Sequence, residues 1–129
     1  MVIWHLMTKK TKVEVPDDEK AYLGIQLSNI DSVTARNYNL PEGVYVFRVI
    51  PGFGAAQSDL RERDIIVKLN GESVKTGDEL HKLLGYYRGG ETVKLTVMRE
   101  DENRVYQETE VEVTLSFQKD ADRPRNPLH

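Results

Sequence analysis

A period of two in the apolar residues recurs along the second half of this chain and constrains its fold more than any other feature. Residues 65–69, 93–97 and 111–115 each place a branched aliphatic residue at every second position. Because successive side chains of a β-strand point to opposite faces, this period predicts strands with one buried and one solvated face. Asn70-Gly71 follows the first strand and is the strongest short hairpin signal, so the chain is predicted to return through residues 72–74.

Two more strands are predicted nearer the N-terminus, at residues 43–49, which are β-branched and aromatic, and at residues 23–27. The polar residues 100–103 form a turn between the last two strands. Five or six short strands predict a partly open antiparallel β-barrel or sandwich. The fold class is therefore mainly β with two α-helices that cap it, and its sheet edges either are protected or bind other strands.

Two helices are predicted between the strands. The first covers residues 32–38 and ends before Pro41. The second begins with Thr76 or Asp78 as its N-cap and continues to Tyr87, ahead of two consecutive glycines.

The second helix carries two partly apolar stripes. The stripe at positions i, i+4 and i+7 is predicted to face the core and consists of Leu80, Leu84 and Tyr87. The other stripe lies one residue behind it and consists of Glu79, Leu83 and Tyr86. This second stripe either contacts a ligand or widens the core stripe, and periodicity does not distinguish the two interpretations.

The composition changes at both ends and predicts three segments. Residues 1–21 are interpreted as a linker or the tail of an upstream domain, residues 22–117 as the compact domain, and residues 118–129 as a flexible tail with two prolines. The apolar segment 2–7 is either a short helix that packs on this domain or the end of an upstream domain, and the second interpretation is favoured. No secretory signal is visible.

Charge and composition exclude several function classes. The 129-residue chain has 18 Lys and Arg against 21 Asp and Glu, a formal net charge of -3. Neither sign attracts nucleic acid or a membrane surface, and no apolar run reaches the length of a membrane span. Cysteine is absent, which excludes disulfide scaffolds, cysteine-ligated zinc and thiol catalysis.

No catalytic residue, metal ligand or cofactor is predicted. No serine has a nucleophile elbow or an oxyanion loop around it. Of the three histidines, only His81 lies in the compact part, where it is predicted to be solvated. The carboxylates of Asp17-Asp18 and of Glu110 and Glu112 are interpreted as linker and as solvated strand face, not as acid–base or metal sites. The chain itself is therefore predicted not to be an enzyme.

The order of short motifs along the chain is more informative than any one of them. These motifs are Tyr22-Leu23-Gly24-Ile25, Gly43-Val44-Tyr45-Val46, Pro51-Gly52-Phe53-Gly54, Asp64-Ile65-Ile66, Asn70-Gly71, the helix at 78–87 and Gly90-Glu91-Thr92-Val93. In this order they resemble a PDZ domain, and more closely the PDZ domain that follows the protease domain of bacterial HtrA/DegP-type serine proteases. The chain departs from that pattern at Arg63, where the family usually has glycine.

The resemblance implies a peptide-binding site along one strand edge. The loop Tyr22-Leu23-Gly24-Ile25 would present backbone amides to a terminal carboxylate, and its glycine allows the chain to curve around an anion. The strand Ile25-Gln26-Leu27 would pair with the incoming peptide by β-augmentation.

The resemblance also implies which side chains select the peptide. The last peptide residue would contact an apolar pocket formed by Leu23, Ile25, Leu83 and Tyr86. Glu79, at the start of the helix, would contact the residue two before the end and favour a donor or a cation there.

The function implied is a peptide-binding module that captures apolar C-terminal or extended segments of unfolded proteins. In the parent protein it would be the substrate-recognition or regulatory domain of an HtrA-like protease for protein quality control, in an extracytoplasmic or cell-envelope compartment. Its partners would be such peptides and the upstream protease domain. The alternative is a structural assembly or gating domain whose groove is occluded.

Overall fold

The computed structural model describes residues 13–122 of the chain. Within that range all strand pairings are antiparallel. The strands are β1 Ala21–Tyr22, β2 Ile25–Ile30, β3 Gly43–Val49, β4 Ile65–Leu69, β5 Glu72–Ser73, β6 Thr92–Glu100, β7 Tyr106–Thr114 and β8 Ser116–Phe117. The α-helices are α1 Ser32–Tyr38, α2 Gly77–Leu84 and α3 Gln118–Asp122, and short 3-10 turns cover Asp17–Glu19 and Gly54–Gln57.

The strands form two sheets that do not close into a barrel. The larger sheet has the order β2-β3-β4-β6-β7, with β5 paired to β4, and the smaller one pairs β1 with β8. The predicted hairpin is confirmed, because Leu69 pairs with Glu72 across the turn. Asn70 and Gly71 both have positive φ, 47° and 82°, as a type I′ turn requires. The predicted fold class, mainly β with capping helices, is therefore confirmed.

One face of the larger sheet carries the core, and α2 packs against that face through Leu80. Val44, Val46 and Leu95 are completely buried there. Along β7 the period-two pattern separates buried Val111 and Val113 from exposed Glu112, whereas Ile65 and Ile66 of β4 are both completely buried.

The two predicted helices are present, but the second is shorter than predicted. The first covers Ser32–Tyr38 as expected, with Asp31 as its N-cap. In α2, Thr76 is the N-cap and accepts a hydrogen bond from the Glu79 amide at 3.1 Å. The helix ends at Leu84, before the predicted end at Tyr87, because the amides of Tyr86 and Tyr87 bond to the carbonyls of Leu83 and Leu84, three residues back, and not four.

Part of the predicted linker packs on the domain. Val15 is only 5% exposed, and its amide donates to the Gly85 carbonyl at 3.3 Å. The Glu19 carbonyl accepts from the Gly89 amide, and its carboxylate pairs with Arg88 Nε at 2.9 Å. Residues 13–20 therefore form part of the compact structure, whereas the segment 2–7 lies outside the described residues.

The C-terminal end begins with structure where a tail was predicted. Residues 118–122 form α3, and the Gln118 amide donates to the Lys20 carbonyl at 2.8 Å. The remainder of the predicted tail lies outside the described residues. None of the helices within residues 13–122 has the length and apolar character needed to cross a membrane.

The loop before β4 is held by a buried ion pair. Asp64 is 1% exposed, and its two carboxylate oxygens accept from Arg99 Nε at 2.8 Å and Nη2 at 2.7 Å. This bidentate contact raises the pKa of the Arg99 guanidinium. The neighbouring Arg63 has a φ of 78°, in the region that favours glycine. The loop thus keeps the backbone of a glycine position although the sequence departs from glycine there.

Candidate functional site

A groove of about 520 Å³ runs between the edge strand β2 and the helix α2. Its lining comes from the N-terminal segment, the loop before β2, β2 itself, one face of α2 and the start of α3. The lining residues are Asp17, Lys20, Ala21, Tyr22, Leu23, Gly24, Ile25, Leu27, Gly77, Leu80, His81, Leu84, Gly85 and Gln118. The lining is therefore mixed, with apolar side chains from β2 and α2 and charged side chains from the N-terminal segment.

The loop at that end depends on Gly24. Its φ is +86°, and a Cβ there would lie 2.5 Å from Phe53 Cβ. The Tyr22 ring packs edge-on against the Phe53 ring, with centroids 5.0 Å apart. The loop is thus pressed onto Phe53 in a conformation that only glycine adopts without strain.

The backbone groups of this loop are used unequally. The Leu23 carbonyl accepts from the Ala55 amide, and the Gly24 carbonyl accepts from the Ile50 amide, both at 2.9 Å. The amides of Leu23 and Gly24, by contrast, have no acceptor among residues 13–122. Because the carbonyls already have donors and these two amides have no acceptor among the described residues, the loop offers two adjacent N–H donors to an anion.

One cation borders the same end of the groove. The Lys20 side chain is 30% exposed, and its Nζ lies 3.7 Å from Asp17 Oδ1. Asp17 is almost fully exposed, so this pair is weak and can exchange for another anion. Lys20 is held in place by its backbone, which pairs with Arg88 and accepts from Gln118.

The helix α2 contributes Gly77, His81 and Leu84 to the groove. These residues stand at i, i+4 and i+7 and therefore share one face of the helix. Leu80 lies beneath them, 2% exposed, and joins the groove floor to the core. The wall opposite β2 thus consists of the Gly77 backbone, the His81 imidazole and the Leu84 side chain.

Five of the predicted site residues come together in the groove, and four do not line it. Those that line it are Tyr22, Leu23, Gly24, Ile25 and Leu27. Those that do not are Gln26, Glu79, Leu83 and Tyr86.

The four residues outside the lining have other surroundings. Leu83 and Tyr86 pack, half-buried, against the core, as Ile25 and Leu84 also do, and Tyr86 lies beyond the last residue of α2. The Glu79 carboxylate accepts from the Lys75 amide at 2.8 Å, which directs it to the start of its own helix. Gln26 alternates with Ile25 and Leu27 and so points away from α2.

Sequence reasoning missed Lys20, His81 and Leu84 as lining residues. His81 and Leu84 had a signal, since both follow Gly77 at helical spacing, but a glycine at the first position gives no apolar stripe to recognise. Lys20 had none, because its position depends on the packing of the predicted linker. Within residues 13–122 there is no group of three or more histidine and carboxylate side chains that could hold a metal ion.

A sheet edge that faces a helix across an apolar groove, with a glycine loop at one end, defines a class of small antiparallel β domains with a helix-bordered edge. A profile of that class, described as the PDZ domain, matches residues 21–115. The chain belongs to the PDZ domain family, as its motif order had indicated.

The curated relatives are proteases that contain such a domain. The chain is 30% identical over 105 residues to the periplasmic pH-dependent serine endoprotease DegQ of Escherichia coli, covering 80% of this chain and 22% of that protein. It is 34% identical over 100 residues to the serine protease HTRA4 of Mus musculus, covering 64% and 20%. The chain therefore spans about a fifth of the curated relatives and corresponds to a non-protease domain of HtrA proteases.

Solved structures show the same fold. The HtrA3 PDZ domain bound to a phage-derived ligand superposes with a TM-score of 0.61 at 22% identity, covering 75% of this chain and 86% of that one. The HtrA-type protease AlgW with a decapeptide gives a TM-score of 0.64 at 19% identity, covering 84% and 31%. At these identities the likeness shows the fold alone.

Proposed function

We propose that this PDZ domain binds the C-terminal end of an apolar peptide in the groove between β2 and α2. The observation that carries the proposal is the position of the Leu23 and Gly24 amides, which have no acceptor among residues 13–122, beside a groove with apolar side chains on both walls. An anion at the loop and an apolar chain along the groove are the two features of a peptide that ends in a free carboxylate.

The carboxylate would accept hydrogen bonds from these amides, with Lys20 as the cation beside them. Charge-assisted bonds of this kind are about twice as strong as neutral ones. Lys20 would exchange its exposed partner Asp17 for the peptide carboxylate. The peptide carboxylate would therefore take the position on Lys20 that the Asp17 carboxylate holds in the free domain.

The peptide backbone would extend β2 as an added strand. β2 is an edge of the larger sheet, and its free side faces the groove. Main-chain hydrogen bonds of an added strand contribute affinity without selecting a sequence. Selection comes from the last side chain, which would enter the apolar space among Leu23, Ile25 and Leu84.

In a longer parent protein, the domain would be the substrate-recognition or regulatory domain of an HtrA-like serine protease. The family of the curated relatives supports this role, and the description of DegQ as periplasmic supports an extracytoplasmic parent. The partners would be the C-termini of unfolded proteins and the upstream protease domain.

The test is a titration of the 15N-labelled chain with a peptide that ends in free valine and with the same peptide amidated. The free acid should shift the amides of residues 23–27 and of His81 and Leu84, and the amidated peptide should bind far more weakly. Equal binding of both peptides would contradict carboxylate capture. Binding of neither, across several apolar sequences, would leave the alternative of an assembly or gating domain.

Two lysine variants sharpen the test. Lys20→Gln should lower the affinity for the free-acid peptide by about fivefold and leave the affinity for the amidated peptide unchanged. The reason is that a charged donor adds about 1 kcal/mol to a hydrogen bond. Lys68→Gln is the matched control, since Lys68 is exposed on β4 and does not line the groove. Equal effects of the two variants would show a general charge effect and contradict the assigned position of the carboxylate.

A further inference from the structure

At the end of the groove away from the Gly24 loop, one hydrogen bond joins β2 to α2. There Asn29 Oδ1 accepts a hydrogen bond from the Gly77 amide at 2.7 Å, which ties the first residue of α2 to β2. Beside it, Leu27 packs so closely on Gly77 that a Cβ there would lie 2.6 Å from Leu27 Cδ1. We call these three residues, Leu27, Asn29 and Gly77, the latch.

The latch occupies the space that an added strand would need. A new strand lies about 4.8 Å from the edge strand and also directs side chains toward the helix. Near Ile25 that space is open, since the groove lies beside it. At Asn29 a single side chain and one hydrogen bond cross from β2 to α2, so no second backbone fits between them.

The first turn of α2 is built around this contact. The Gly77 amide would otherwise be one of the unpaired donors at a helix start. Thr76 caps the Glu79 amide instead, at 3.1 Å, and leaves Gly77 to Asn29. The close approach of Leu27 then requires that position 77 carry no side chain.

We infer that the latch limits strand pairing on β2 to the final three residues of a bound peptide. This inference rests on the proposed function. The peptide pairs with residues 25–27, and the hydrogen bond from Gly77 to Asn29 blocks pairing beyond them. Residues further upstream leave the groove and contribute no strand pairing.

The test compares an acetylated tripeptide and a heptapeptide with the same apolar free-acid ending, on the full chain. Wild-type protein should bind the two within about twofold, because the added residues form no backbone hydrogen bonds. Asn29→Ala should bind the heptapeptide about five- to tenfold more tightly than the tripeptide, with new shifts at residues 28–30. Asn29→Asp keeps the acceptor oxygen and should behave as wild type.

Two further measurements make the inference falsifiable. Exchange of the Gly77 amide proton should be slow in wild type and faster in Asn29→Ala, whereas Ser28→Ala, a neighbouring exposed change on β2, should not alter it. A heptapeptide that already binds wild type several-fold more tightly, or unchanged Gly77 exchange in Asn29→Ala, would overturn the latch alone. Failure of both peptides to bind any variant would overturn the proposed function and the latch with it.

Discussion

The larger sheet has two edges, β2 and β7, and they are built in opposite ways. β7 pairs with β6 over nine residues without a register shift, and exposed Glu108, Glu110 and Glu112 alternate along it. β2 has an irregularity between Gln26 and Leu27 and presents apolar side chains toward α2. Charged residues discourage the pairing of an edge with another strand. The difference teaches that a free backbone edge alone does not make a binding site.

The surroundings of the two edges reinforce this contrast. The 3-10 turn Gly54–Gln57 packs against the end of β7, where Gly54 lies directly on the Thr114 carbonyl. β2 instead borders a groove, and only its far end is crossed, by Asn29. One edge is thus charged along its length and contacted at one end, and the other borders a groove.

The largest effect is expected at the β2 edge, from a change at Gly24 in the loop before β2. Gly24→Ala should lower the free energy of unfolding by about 2–4 kcal/mol and abolish peptide binding, because left-handed strain adds to a clash with Phe53. Urea denaturation and the peptide titration measure the two losses. The control is Gly52→Ala, whose φ of +93° brings the same strain but no neighbour within 4 Å. Equal losses in both variants would show that the Phe53 contact is unimportant.

The next largest effect is expected at the β7 edge, from a change at Gly54. Gly54→Ala should cost about 1–3 kcal/mol of unfolding free energy, since its Cβ would enter the backbone of Thr114 and push the 3-10 turn away. Peptide affinity should change less than in Gly24→Ala. Thermal denaturation and the same titration test this, and an unchanged melting temperature would mean that the turn does not press on β7.

A smaller effect is expected from Arg63, in the loop before the central strand β4. Arg63→Gly should stabilise the domain by about 0.5–1 kcal/mol, because a φ of 78° is strained for arginine and not for glycine. Arg63→Ala should give no such gain, and peptide affinity should stay the same. Urea denaturation of both variants decides the matter, since equal stabilities would show that the position is not strained.

The smallest effect concerns the hairpin that leads into β7. The amides of Val105 and Asn103 and the side chain of Gln107 donate to Asp101, and hold the pKa of its carboxyl below 3.8. A lowered pKa in the folded state means that this stabilisation is complete above pH 3.8 and is lost as the pH falls through the lowered value. Asp101→Asn should therefore show a shallower loss of melting temperature in acid than wild type. Parallel acid profiles would contradict this.

Local patterns in the sequence predicted much of the fold. The period-two runs located β4, β6 and β7, and Asn70-Gly71 located the hairpin, since both signals depend on neighbouring residues. The glycine of the loop before β2 was predicted from the family pattern, and its φ of +86° agrees with that requirement.

The wall of the groove opposite β2 could not be predicted in the same way. Apolar periodicity on a short helix cannot separate a core face from a groove face, so it left two interpretations open for Leu83 and Tyr86. The family resemblance placed both in the peptide pocket, whereas the groove of this structure is lined by His81 and Leu84 instead.

The sequence by itself determined the strands with period two and the hairpin turn, because each rests on the conformational preferences of adjacent residues. Only the tertiary structure decided where the groove is crossed by Asn29 and that Lys20 lies beside it. Asn29 and Gly77 are 48 positions apart, and Lys20 reaches the groove because residues 13–20 pack on Gly85 and Arg88. Such contacts depend on how whole elements pack, which no local pattern specifies.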